Sequence, residues 1–284
     1  MRPAPLALLL AAAPALVAQA PALTADQVIA KHLEAEGGVA RLKAVKSRRM
    51  SGHLVGAPME ILLVAENRRP AAFRVDVTLQ GQTQSTGYDG KAGWRVNPFA
   101  GYGGSKAAEP MTADELKDAE VQADMDGPLV DYAAKGHKVE YLGTESVEGA
   151  PAHKLRVTLK NGNSTTMFFD ADSFLKVKET TKRVMRGQEV EIESVFGDYK
   201  EVGGLLFPHS VEQGAVGMPQ RQKIQMDKVE LDVALADDRF RTPPPPPAPK
   251  AEDAKPAPKA DVPKADAPKG DLPKADPKPA EKKG

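Results

Sequence analysis

The residues best suited to acid–base or metal chemistry are five histidines: His32, His53, His137, His153 and His209. His32 and Glu36 are four positions apart, which on a helix puts two metal ligands on one face; the same spacing also suits a solvated pair. His137 and His153 fall on neighbouring predicted strands and could face each other. For His137 and His153 no nucleophile or carboxylate partner is placed by spacing, as a catalytic site needs. Asp170, Asp172 and Ser173 read as a turn, without the Gly and Glu offsets of a calcium loop. The chain has no Gly-x-Ser-x-Gly elbow, no His-Glu-x-x-His and no Walker loop. It has no cysteine, so disulfides, thiolate metal sites, a Cys nucleophile and a lipid anchor on Cys are excluded. The expectation is no enzyme, no cofactor and no metal.

What the sequence offers instead is apolar surface at the period of a strand. Phe73, Val75, Val77 and Leu79 alternate with Arg74, Asp76 and Thr78. Leu155, Val157 and Leu159 alternate with Arg156 and Thr158, and Val190 and Ile192 flank Glu191. Ile224, Met226, Val229 and Leu231 are set among Gln225, Asp227, Lys228 and Glu230. One dry face and one wet face is the pattern of antiparallel sheet. Trp94 and Val96 continue the alternation after Asp89-Gly90, so Trp94 is expected to point inward, as plain core or as the lining of a hollow. Phe99 and Tyr102 sit in a Gly-rich loop, where they either fold back on the core or touch a membrane or cargo.

The elements that must position these residues are mostly strands. Asp89-Gly90, Asn161-Gly162 and Gly203-Gly204 read as hairpin connections. Two helical stretches interrupt them. Thr24 with Gln27 is a capping box opening a helix over residues 24–36, stopped by Gly37-Gly38, and a short second helix follows over 39–45. Thr112 with Glu115 opens another over 112–134, broken at Gly127-Pro128, with a short turn of helix resuming at 129–132. About ten strands with an apolar face cannot be covered by so few helices. Either a second sheet makes a sandwich, or one strongly curved sheet keeps an unfilled apolar hollow; the separated helices favour the second.

Both ends differ from this middle. Met1-Arg2, an apolar run over 6–17 and Ala18-Gln19-Ala20 read as a cleavable signal peptide, residues 1–20, with a run too short to span a bilayer. The expected location is the periplasm. From Pro243 to Gly284 a proline run and Pro-Lys-Ala-Asp repeats predict a disordered tail, a solubilising segment or a spacer reaching on the order of 100 Å. Between them, residues 23–242 make one domain. Net charge is zero and aromatics are 5%, which gives nucleic acid no footing.

In their order and spacing, several segments resemble the outer-membrane lipoprotein-sorting family, the periplasmic carriers of the LolA/LolB type. They are the early helix running into Gly37-Gly38; Tyr88-Asp89-Gly90-Lys91-Ala92-Gly93-Trp94; Asp126-Gly127-Pro128-Leu129-Val130-Asp131-Tyr132; Tyr199-Lys200-Glu201-Val202-Gly203-Gly204; and Leu206-Phe207-Pro208-His209-Ser210. The resemblance implies a mainly β fold, an incomplete, strongly curved antiparallel barrel with a few lid helices. It implies a carrier that binds acyl chains of lipoproteins or lipids in a hydrophobic hollow and sorts them towards the outer membrane, without a cofactor. The hollow's candidate lining is Phe73, Val75, Val77, Leu79, Trp94, Val96, Leu155, Val157, Leu159, Val190 and Ile192. Phe99 and Tyr102 are candidates for transient membrane or envelope-protein contact, and the carrier is expected to be a monomer. The other reading is a non-enzymatic envelope scaffold that uses its Pro-rich tail.

Overall fold

The structure, a computed structural model, describes residues 23–99, 105–185 and 188–245; for 183–185, 188 and 189 it describes the backbone alone. Among these residues thirteen strands form one antiparallel sheet. They are β1 (Ser47–Val55), β2 (Ile61–Arg68), β3 (Ala72–Leu79), β4 (Gln82–Tyr88), β5 (Gly93–Asn97), β6 (Ser105–Pro110), β7 (Lys138–Val147), β8 (Ala150–Thr158), β9 (Ser164–Asp170), β10 (Lys176–Met185), β11 (Gln188–Val202), β12 (Leu205–Ala215) and β13 (Gln222–Leu231). The spatial order is β6-β5-β4-β3-β2-β1-β13-β12-β11-β10-β9-β8-β7. Two meanders thus join along β1 and β13, and the outermost strands β6 and β7 do not pair, so the sheet is open and not a closed barrel. It has three more strands than the roughly ten expected; β1, β2 and β6 carry mixed polar and apolar residues with no clean alternation.

Three helices accompany the sheet: α1 (Ala25–Ala35), α2 (Val39–Ala44) and α3 (Ala113–Ala123). α1 and α3 start at complete capping boxes, Thr24 with Gln27 and Thr112 with Glu115, which satisfy two otherwise orphan N–H groups each. α3 stops at Ala123. Residues 124–136 then run as successive turns, so the helix expected to reach 134 is half that length, and no turn of α-helix resumes at 129–132. The helix ends where Asp124 turns extended, at φ −72° and ψ +96°, three residues before the break expected at Gly127-Pro128.

All three helices and the 124–136 turns lie on one face, here the inner face. Val28, Ile29 and Leu33 of α1 pack with Leu129, Val130, Leu155, Val157, Met167 and Phe169. Ala119 and Ala123 of α3 pack on Phe73 and Tyr88. The sheet's curvature brings its two halves to the same layer: Asn163, in the β8–β9 turn, donates to Asp118 of α3, which rests on β3 to β5.

The outer face has its own cover. After β13 the chain runs back across it through a 3-10 turn, Asp237–Arg239. Phe240, fully buried, packs with Ala72 and Leu235. Glu66, 1% exposed at its side chain, pairs with Arg49 at 2.8 Å and Arg239 at 2.6 Å.

Candidate functional site

The inner face divides into a covered and an uncovered zone. The helices and the 124–136 turns cover the end where β1, β3 and β12 begin and β2 and β13 finish. There Val45, Leu205, Phe207 and Val229 form a buried cluster. The covering layer is fastened by polar contacts. Arg69 holds Asp126 with a two-pronged pair at 2.5 and 2.9 Å, which keeps the Asp126 carboxyl below its usual range. Lys135 holds Asp124 at 2.5 Å. At the end of α1, Gly37 sits at φ +115°, and a Cβ there would stand 2.2 Å from the Gly204 carbonyl oxygen. Arg41 donates to the carbonyl oxygens of both Gly37 and Gly204, and Leu206 N donates to Glu36 O. Three of the segments that carry the family resemblance therefore meet at one joint.

At the other end of the same strands no described element covers the sheet. Register fixes which side chains share the inner face: Leu63 stands opposite Val77 and Ile61 opposite Leu79 on β2 and β3, and Leu54 shares that face two positions along β1 from the partner of Leu63. Leu54 stands opposite Ile224 on β13, Ile224 opposite Val211 on β12, and Ile192 lies on β11 beyond it. All are half-buried. This is an open apolar trough, not an enclosed hollow. Its rim is apolar too: Val55 and Met59 are 46% and 44% exposed around the β1–β2 turn, and Val216 and Met218 are 49% and 61% exposed in the β12–β13 turn.

The candidate residues separate accordingly. Val75, Val77, Leu79 and Ile192 lie on the inner face in or beside the trough, and Val190 continues β11 in the same alternation. Phe73, Leu155 and Val157 are on the inner face but sealed under the helices, where they are core, and Leu159 packs at the edge of that core. Trp94 and Val96 are not in this set. Trp94 stands opposite Gly87 on the outer face, 1% exposed, with its Nε1 donating to Phe240 O at 2.7 Å and Arg74 over its ring. Val96 shares that face opposite Ser85. Alternation fixed the parity of these two side chains but not which face faces the helices. Phe99 is half-buried, and Tyr102 lies outside the described residues, as do the signal segment and residues 246–284. Leu54, Ile61, Leu63 and Val211 were missed as trough residues, because their strands do not alternate cleanly.

The acid–base candidates do not assemble. His137 stands just before β7, and His153 lies midway along β8 opposite Thr144, so the two do not face each other. His137 Nδ1 accepts from Lys160 N, and His153 contacts the Tyr141 hydroxyl. His32 is buried on Phe169, with Nδ1 2.9 Å from Phe174 O and Nε2 3.5 Å from Glu36. Burial lowers its pKa. Among the described residues no group of three His, Cys, Asp or Glu side chains is placed to hold a metal ion. Asp170 is a turn-former, its Oδ1 accepting from Asp172 N and from Ser173 N and Oγ.

Recesses flank the helix layer, among them one of about 460 Å³ between α3, Pro128, Lys135 and Leu159. A cleft of about 650 Å³ lies between α1 and residues 129–134. A polar one of about 490 Å³ lies under α3 around Arg95, Gln84 and Glu115. One of about 230 Å³ lies beneath α1, between it and β1, β10, β11 and β12, walled by Arg48, Lys176, Tyr199 and Phe207. Few helices fill more of the concavity than the sequence predicts, because the 124–136 turns add a segment to the plug.

No family model matches the chain, and no curated protein sequence matches it. Solved structures do. A LolA superfamily protein from Nitrosomonas europaea aligns over 78% of this chain and 98% of its own, with a TM-score of 0.52 at 12% identity. A DUF1329 family protein from Desulfovibrio piger aligns over 76% and 96%, with a TM-score of 0.51 at 10% identity. The open, curved, thirteen-stranded sheet with its few helices on the inner face is thus a fold shared with the solved LolA superfamily protein.

Proposed function

We propose that the protein is a lipid carrier of the bacterial envelope, exported to the periplasm, which seats acyl chains of lipoproteins or lipids on the uncovered inner face and delivers them towards the outer membrane. The observation that carries this reading is the trough: half-buried apolar side chains from β1, β2, β3, β11, β12 and β13 that nothing described covers, on a sheet of the LolA-superfamily fold. Each acyl CH₂ moved there from water contributes about 0.8 kcal/mol, so a chain of ordinary length supplies enough for reversible carriage. No bond is made or broken. α1, α3 and the 124–136 turns act as the plug at one end, and the apolar rim of Val55, Met59, Val216 and Met218 supplies the transient membrane contact at the other.

Native mass spectrometry of protein purified from its own envelope tests this. Co-bound lipid, released when the trough is blocked by Val77→Asp, is the expected result. A lipid-free spectrum together with no uptake of a fluorescent fatty acid overturns it. Deleting residues 243–284 leaves lipid binding intact in a carrier.

A further inference from the structure

The recess beneath α1 has a charge without a partner. Arg48, on β1, extends from the inner face into it. Its one hydrogen bond among the described residues is from Nη2 to Asn67 Oδ1 at 3.3 Å, and its Nε is sealed from solvent with no acceptor. Among the described residues no carboxylate lies within ion-pair distance of it. Below it the Phe207 ring centroid stands 5.9 Å from the guanidinium carbon. A guanidinium has five donors, and leaving them unmet out of water is costly.

Three of the neighbouring acids are paired with other cations. Asp126 is held by Arg69, Asp124 by Lys135, and Glu179 by Lys176 at 2.8 Å. Glu36, also in the wall of the recess, has its nearest contact at His32 Nε2, 3.5 Å away, and forms no ion pair with Arg48. The volume, about 230 Å³, is below the roughly 300–1,000 Å³ of sites that hold a whole small molecule. It suits an anionic group of a few atoms. One wall, Phe196, stands opposite Val211 on β12, a residue of the trough.

We infer that the recess beneath α1 is an anion site, with Arg48 as the countercharge, which takes the carboxylate or phosphate head of an amphiphile whose chain lies in the trough. This rests on the carrier reading and narrows it to anionic lipids. Arg48 meets the planar group with its free Nε–H and Nη–H donors, the geometry guanidinium offers and ammonium does not.

The test compares dodecanoate with its uncharged methyl ester by calorimetry on the full chain, while the ¹⁵N resonance of Arg48 Nε is followed. The expected result is binding of the carboxylate about tenfold or more tighter than the ester, with a shift of the Nε resonance. Arg48→Met reduces that preference to under about twofold and still binds the ester; Arg48→Lys keeps part of it and shows that the fold tolerates change here. Equal affinity in the unaltered protein, or a preference that survives Arg48→Met, overturns the anion site. If neither amphiphile binds, the carrier reading falls. Inorganic phosphate is then titrated alone: a shift at Arg48 Nε assigns the site to free anions, and no shift overturns it as well.

Discussion

The indole Nε1 of Trp94 donates a 2.7 Å hydrogen bond to the carbonyl oxygen of Phe240, on the side of the sheet turned away from the helices. One bond thus ties β5 to the last described segment of the domain. Gly87 makes it possible, since a Cβ there would stand 2.5 Å from the indole ring. The tie belongs to stability and not to ligand binding. Trp94→Phe is expected to cost about 1–3 kcal/mol, the loss of a buried bond and of ring contact, read from urea denaturation. Fatty-acid affinity should stay unchanged; a loss of affinity at unchanged stability would place Trp94 in the site after all.

Glu66 concentrates the same outer-face seam. Its carboxylate takes Arg49 on one oxygen and Arg239 on the other. Glu66→Gln leaves two guanidinium groups facing a neutral amide and is expected to cost about 3 kcal/mol in denaturant unfolding. Glu66→Asp, which retains the charge at a shorter reach, should cost less. Equal costs would show that packing and not charge holds the seam.

The histidines set a pH dependence with a definite sign. Burial lowers the pKa of His32, and of His137 and His153, below the ordinary value of 6.5. Above about pH 6.5 these rings are neutral folded and unfolded, and their contribution is full. As pH falls below that, the unfolded chain takes up protons first, so stability declines until the folded pKa is passed. The urea midpoint should therefore be lower at pH 5.5 than at pH 7.5, and His32→Gln should shrink the difference. An unchanged midpoint across that window would contradict the burial of His32.

The two faces should answer differently to one chemical change. Val77→Asp places a carboxylate on the trough, where desolvating it against an acyl chain is unfavourable; fatty-acid affinity should drop about tenfold or more. Val96→Asp makes the same change on the outer face and should leave affinity alone. Displacement of a fluorescent fatty acid reads both, and matched losses would mean that the trough is not the site.

Much of this fold was legible before any coordinates. The clean alternation of Phe73 to Leu79 gave β3 and its inner set, and the capping boxes at Thr24 and Thr112 marked where α1 and α3 begin. Trp94 shows the limit. Period two states that Trp94 and Val96 share a face, but which face is a tertiary fact, set by Phe240 and the strap that carries it. The trough shows another. Leu63 and Val77 are neighbours only through the register of β2 with β3, and Leu54 meets Ile224 only because the last strand returns beside the first. Arg48 gave no signal at all, since a cation in a strand reads as a wet-face residue until a helix is laid across it.

The central claim is that acyl chains lie on the uncovered inner face, and photo-crosslinking with a diazirine-bearing fatty acid, mapped by peptide mass spectrometry, tests it most directly. Adducts are predicted on β1 to β3 and β11 to β13, at Leu63, Val77, Val211 and Ile224 above all, with Val77→Asp abolishing them. Adducts spread over the outer face, or confined to the cleft between α1 and residues 129–134, would contradict it.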